Sequence, residues 1–450
     1  MTDESNGTLT EGPIGRTLIR LAAPMLAGIV AVMLFGVIDT LYVGRLGVRE
    51  LAAMSFTFPV TYLIMNIPIG IGIGLSSVVS RAIGSGNRNL VCRLATDGVL
   101  LAVLLQILVC LAGLASIGPL FRIQGADEEL IPLIASYMVP WYLGVGFLII
   151  PMVGNSALRA TGDTRTPAMI MIIAGVVNIV LDPFLIFGIG PFPRLELQGA
   201  AIATVISWIV TFAISMRILA VREKLLVLRL SPWKQILESW RGTLYVGIPA
   251  SATNMLIPIT GAILTRIVSS FGTVAVAGYG VGTRIESLAL ITGMSMSAAM
   301  APFIGQNFGA GNYARIRKAL RFSLGFCAGT GAVFFLLILP LAAPVARLFN
   351  EDPLVVATAT HYLWIVPLSY GAIGMIMQIA ATFNATNRPL HSTLVSLART
   401  LLFSLPLGYF GGVYWGVTGV FVGISAANLL TGALACFLVY RFLKSDPKRD

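Results

Sequence analysis

Apolar residues run for 20 or more positions at a time about twelve times along this chain, and its polar residues gather in the short gaps between the runs. At 1.5 Å per residue, each run is long enough to cross a hydrocarbon layer about 30 Å thick. The pattern predicts membrane-spanning helices over approximately 17–43, 51–80, 92–117, 131–152, 166–189, 197–220, 242–268, 274–303, 319–345, 354–382, 391–411 and 415–440. No gap is long enough for a soluble domain. The longest polar stretch is 221–241, where Ser231-Pro232 reads as a helix start and Trp233, Ile236, Leu237 and Trp240 follow at helical spacing. That spacing predicts a short helix lying in the membrane interface with its tryptophans at headgroup level.

The pattern also occurs twice. A displacement of half the chain sets Pro24 on Pro249, Thr40 on Thr265, Gly47 on Gly272 and Ala52 on Ala277. Gly84, Gly86 and Asn87 fall on Gly309, Gly311 and Asn312, and Ala160-Thr161 on Ala385-Thr386. After a short gap, Pro167 meets Pro389. Two copies of an apolar unit are the mark of a transporter built from repeats. The expected fold is an all-α polytopic membrane protein of twelve helices in two six-helix lobes, 1–220 and 242–450, joined by the 221–241 linker. Even spans per copy give both copies one orientation, so a pseudo-two-fold axis along the membrane normal is expected.

Composition and charge agree with that picture. Hydrophobic residues make up 57% and charged residues 11%, against about 25% charged in soluble domains. The net charge of +11 would suit a nucleic-acid partner, but its placement does not. With both termini inside, only Arg45, Arg49, Arg122, Arg194, Arg266 and Arg347 fall outside, and Arg284 and Arg399 fall within spans. The remaining Lys and Arg lie on the inner side, which is the positive-inside bias of membrane topology. No cleavable signal peptide is evident. Cys92, Cys110, Cys327 and Cys436 sit in or near spans and read as packing residues. A primary pump is disfavoured because the chain has no G-x-x-x-x-G-K-[ST] phosphate loop. No paired metal motif or Ser/His/Asp order suggests an enzyme.

The candidate chemistry lies where the two copies differ. Asp39 and Asp182 interrupt apolar spans of the first copy, opposite Leu264 and Ser404 of the second. Helical rise places Asp39 about 29 Å above Arg20 and Asp182 about 26 Å above Arg165, so two carboxylates reach similar depth. A carboxylate there costs roughly 2.5–3.5 kcal/mol or more unless a proton, a cation or water meets it. Asn178 stands one helical turn before Asp182, Pro183 frees a carbonyl near Ile179, and Thr204 lies on the next span. Such oxygen ligands suit H⁺ or Na⁺, and the residues alone leave both open. In the second copy, Glu286 either pairs with Arg399 or meets a cationic substrate in a central cavity. Arg284, two residues away, need not share its face. Met294, Met296, Met300, Met375 and Met377 can line an adaptable cavity or simply pack.

The stretches Asp39-Thr40 with Val43-Gly44 and Leu46-Gly47, Asn178 to Pro183, and Gly199-Ala200-Ala201 resemble the multidrug and toxic compound extrusion (MATE) family. The likeness is nearest to the DNA-damage-inducible-protein-F-like branch. The turns Gly84 to Asn87, Gly309 to Asn312 and Ala160 to Asp163 extend the resemblance over nearly the whole chain. It implies a plasma (inner) membrane antiporter, monomeric and free of cofactors. Such a protein expels drugs, often cationic or aromatic, against H⁺ or Na⁺. It also implies a coupling site of Asp39, Asn178, Asp182 and Thr204 (the same residues for Na⁺), with Asn155 nearby and Pro24 as the hinge of the first helix. The alternative function is a flippase for lipid-linked oligosaccharides or lipids in the related superfamily. An anionic-lipid flippase would need several basic cavity residues, and only Arg284 and Arg399 are candidates.

Overall fold

In a computed structural model, described over residues 9–227 and 231–445, helices follow one another with short turns, and no strand occurs among those residues. The first half contains α1 (Ile14–Gly44), α2 (Val48–Gly84), α3 (Arg88–Ile123), α4 (Ile131–Gly144), α5 (Gly146–Ala160), α6 (Arg165–Phe187), α7 (Glu196–Arg217) and α8 (Trp233–Ser269). The second contains α9 (Thr273–Ala289), α10 (Ile291–Gly309), α11 (Tyr313–Arg347), α12 (Pro353–Ile365), α13 (Tyr370–Ala385), α14 (Pro389–Leu397) and α15 (Leu405–Ser445). Helices α4 and α5 form one span bent by 44°. The pairs α9–α10 and α12–α13 are single broken spans, and α14–α15 holds two spans that turn at Trp415 and Gly416. Counted this way, the described residues supply the twelve crossings of the expected two-lobe fold.

The repeat shows in the backbone as well as in the letters. Gly86 and Gly311 hold φ of 74° and 76°, a left-handed conformation that a side chain would oppose, which is why glycine ends both turns. The fourth span breaks in each copy, at Val145 in the first and through the turn Val366–Ser369 in the second.

The chain separates into two compact units, and their boundaries differ from the expected 1–220 and 242–450. One unit holds Ala23–Ser251, and the other holds Leu9–Ala22 together with the chain from Ala252 onward. Packing explains the difference. Leu18, Leu21 and Ala22 are buried in the second unit's core beside Met296, Met300 and Phe303. The Leu9 amide donates to Gln306 Oε1 at 2.8 Å, and Asn307 Nδ2 donates to the Leu9 carbonyl at 3.1 Å. Arg315 donates to the carbonyls of Glu11 at 2.9 Å and Gly12 at 3.0 Å. In the first unit, α8 begins so close to α2 that a Cβ on Gly74 would lie 2.1 Å from the Thr243 carbonyl oxygen.

The expected short interfacial helix is also revised. Helix α8 starts at Trp233, as Ser231-Pro232 predicts, but runs unbroken to Ser269. No proline lies between Trp233 and Ile248 to break the helix, and its first turns are docked rather than lying apart. Ile236 and Ser239 are buried, and Trp240 Nε1 donates to the Asp97 carbonyl at 2.8 Å. Residues 228–230 of the linker and the basic tail after 445 lie outside the described residues.

Candidate functional site

Helices α6 and α7 create the site because small residues let them touch. A Cβ on Gly199 would stand 2.3 Å from the Leu185 carbonyl oxygen, so only glycine permits this approach. The Leu195 amide donates to that same carbonyl at 3.0 Å and fixes the antiparallel register. That register sets Thr204 opposite Asn178. Asn178 Nδ2 donates to Asp182 Oδ1 at 3.1 Å and to Thr204 Oγ1 at 3.3 Å. Asp182 is fully buried, while Asn178 and Thr204 are half-buried.

Asp39 arrives from α1. A Cβ on Gly28 would meet Ala168 at 3.2 Å, and one on Gly175 would overlap the Phe35 ring. Residues 28 and 35 of α1 thus lie beside 168 and 175 of α6, so Asp39 is level with Ile179, between Asn178 and Asp182. The two carboxylates are electrostatic neighbours. Asp39 Oδ1 and Asp182 Oδ2 are both buried without a hydrogen-bond partner. Tyr137 on α4 is buried and is an electrostatic neighbour of both. Sequence reasoning missed it. Its only signal was a tyrosine well inside an apolar span, where the hydroxyl needs a polar neighbour.

Asn155 is not brought to this group. It lies five residues from the end of α5, about 8 Å from the 161–164 turn, whereas Asp182 lies about 26 Å from that turn along α6. Pro24 sits inside α1 just after the helix passes from the second unit into the first.

In the second unit, Glu286 and Arg399 do not form the direct pair that is one of the two alternatives for Glu286. Glu286 Oε2 accepts instead from the Tyr362 hydroxyl. Arg399 Nε donates to Asn428 Oδ1 at 3.0 Å, and Asn428 Nδ2 donates to Ser369 Oγ at 3.0 Å. Glu286 and Arg399 remain electrostatic neighbours, each satisfied by a different neutral group. Arg284 is exposed, with neither an ion pair nor a hydrogen bond among the described residues.

The first-unit group offers two carboxylates, a hydroxyl and an amide to one small cation. Comparison with known proteins agrees with the architecture around it. The sequence model of the MatE family matches residues 24–184 and 249–410, once in each half. A FAD transporter of Shewanella oneidensis is 40% identical over 433 residues, covering 96% of each chain. A probable multidrug resistance protein of Bacillus subtilis is 28% identical over 95% of this chain and 93% of its own. A crystal structure of a Vibrio cholerae MATE transporter superposes with a TM-score of 0.92 at 29% identity, covering 99% of both chains. Matched in both repeats, this chain belongs to the MatE family of multi-pass membrane transporters, which are not enzymes.

Proposed function

We propose that this chain is a secondary active exporter that moves small aromatic molecules outward against H⁺ or Na⁺ moving inward. What supports this reading is the bonding of Asn178 to both Asp182 and Thr204, with Asp39 an electrostatic neighbour of Asp182 and one oxygen of each carboxylate left unpartnered. A cation entering from outside neutralises the carboxylates and removes the cost of holding them in an apolar span. Helix α1 then bends at Pro24 and releases the cargo outside. One charge moving across 100 mV supplies about 2.3 kcal/mol, enough to drive export uphill. The protein acts as a monomer in the plasma (inner) membrane, with both termini cytoplasmic.

Two cargo readings have support. Relatives named for multidrug resistance favour drugs, often cationic or aromatic. The more similar relative is named a FAD transporter, which favours a flavin dinucleotide. The readings share flat aromatic rings and differ in charge.

Efflux from proteoliposomes, with pH and Na⁺ gradients imposed separately, tests the coupling. Asp39→Asn is expected to remain folded and to lose exchange under both gradients. Normal efflux in that variant would remove Asp39 from the mechanism.

A further inference from the structure

Helix α9 carries glycines at 278, 280 and 282, and its two sides are unlike. A Cβ on Gly278 would lie 2.6 Å from Thr358, and one on Gly282 would lie 2.3 Å from the Tyr362 ring. That side is packed tight against α12. A Cβ on Gly280 would have no heavy atom within 4 Å. Arg284 lies one turn beyond Gly280 and so shares its open side. Ser287, three residues further, is exposed on the same side, its hydroxyl donating to the Thr283 carbonyl at 3.0 Å.

Depth gives this side its meaning. Arg284 lies eleven residues from the start of α9 at Thr273, about 17 Å along the helix and near the middle of a 30 Å layer. It is exposed there without an acidic partner among the described residues. Facing lipid at that depth, a guanidinium costs roughly 2.5–3.5 kcal/mol or more, and it is too far from the helix end to snorkel. The part of α9 around Gly280 and Arg284 therefore lines water, with exposed Leu288, one turn beyond Arg284, at its apolar margin. Glu286 does not neutralise it, being two residues round the helix and bonded to Tyr362.

We propose that Arg284 is the anion-recognition residue of the transport path, pairing with a phosphate or pyrophosphate group on the transported molecule. Guanidinium forks bind phosphate oxygens in pairs, and Gly280 leaves room for the ligand to approach the helix backbone. This assignment rests on the reading of the chain as a small-molecule exporter and names the chemical class of its cargo.

The test uses the full-length protein in detergent, titrated with FAD and with riboflavin, which carries the same ring system without phosphate. Tryptophan fluorescence reports binding. FAD is expected to bind about tenfold more tightly than riboflavin, as one charge-assisted contact allows. Arg284→Ala should reduce FAD to the affinity of riboflavin and leave riboflavin unmoved, while Arg284→Lys keeps part of the preference. A wild-type protein with no preference for FAD, or binding neither flavin, overturns the proposal, as does Arg284→Ala retaining the preference. Drug efflux under a pH gradient, measured alongside, separates the two readings. If Asp39-dependent efflux persists without a phosphate preference, only the anion site fails; if that efflux is also absent, the exporter reading fails too.

Discussion

Asn178 is the residue on which the first-unit site turns, because its amide reaches Asp182 and Thr204 together. Thr204 Oγ1 is the hydroxyl bonded to Asn178, and a hard cation gains from a neutral oxygen beside carboxylates whereas a proton does not need one. Thr204→Ala is therefore expected to slow Na⁺-driven efflux several-fold and to leave proton-driven efflux near its original rate. Unchanged rates under both gradients would drop Thr204 from the site. Asp39, Asp182 and Asn178 were legible in the sequence because a carboxylate inside an apolar run needs a reason, and a spacing of four puts the amide on its face. Tyr137 was not, since nothing in the letters shows what its hydroxyl will meet. Of the two roles open to Glu286, direct pairing with Arg399 does not occur, because Tyr362 and Asn428 satisfy each group separately.

Among the helices, the α6–α7 contact depends on Gly199. Gly199→Val would drive two methyl groups into the Leu185 carbonyl, and overpacking of that kind costs roughly 1–3 kcal/mol. A lowered melting temperature together with weakened cation binding is expected; an unchanged melting temperature would mean the helices can separate freely. Pro24 cannot donate the backbone hydrogen bond of an ordinary helical residue, which weakens α1 where it changes units. Pro24→Ala should slow transport while leaving cation binding intact, and full-speed turnover would exclude bending there. Span positions were readable because hydrophobic runs of this length have few alternatives in a membrane protein. The helix that carries span seven is longer than the span for a related reason. The change from polar to apolar near residue 241 marks where the surroundings change, not where the helix begins, and α8 extends well before it.

Taken whole, the chain is a duplication whose two copies share turns and a broken fourth span yet differ in their buried charges. Asp39 and Asp182, each with an unpartnered oxygen, lie in the first copy, and the exposed deep arginine lies in the second, beside a Glu286 bonded to Tyr362. The unit boundaries go further than the repeat. Residues 9–22 belong to the core of the second unit, and the first turns of α8 belong to the first. Each half of the polypeptide thus carries a piece of the other's interior. Severing the backbone within 228–230 should yield two fragments that are insoluble when made singly and copurify as an active complex when made in the same cell. Either fragment folding stably by itself would show the exchanged turns to be dispensable. Complementation of this kind would allow each half to be labelled or mutated independently before assembly.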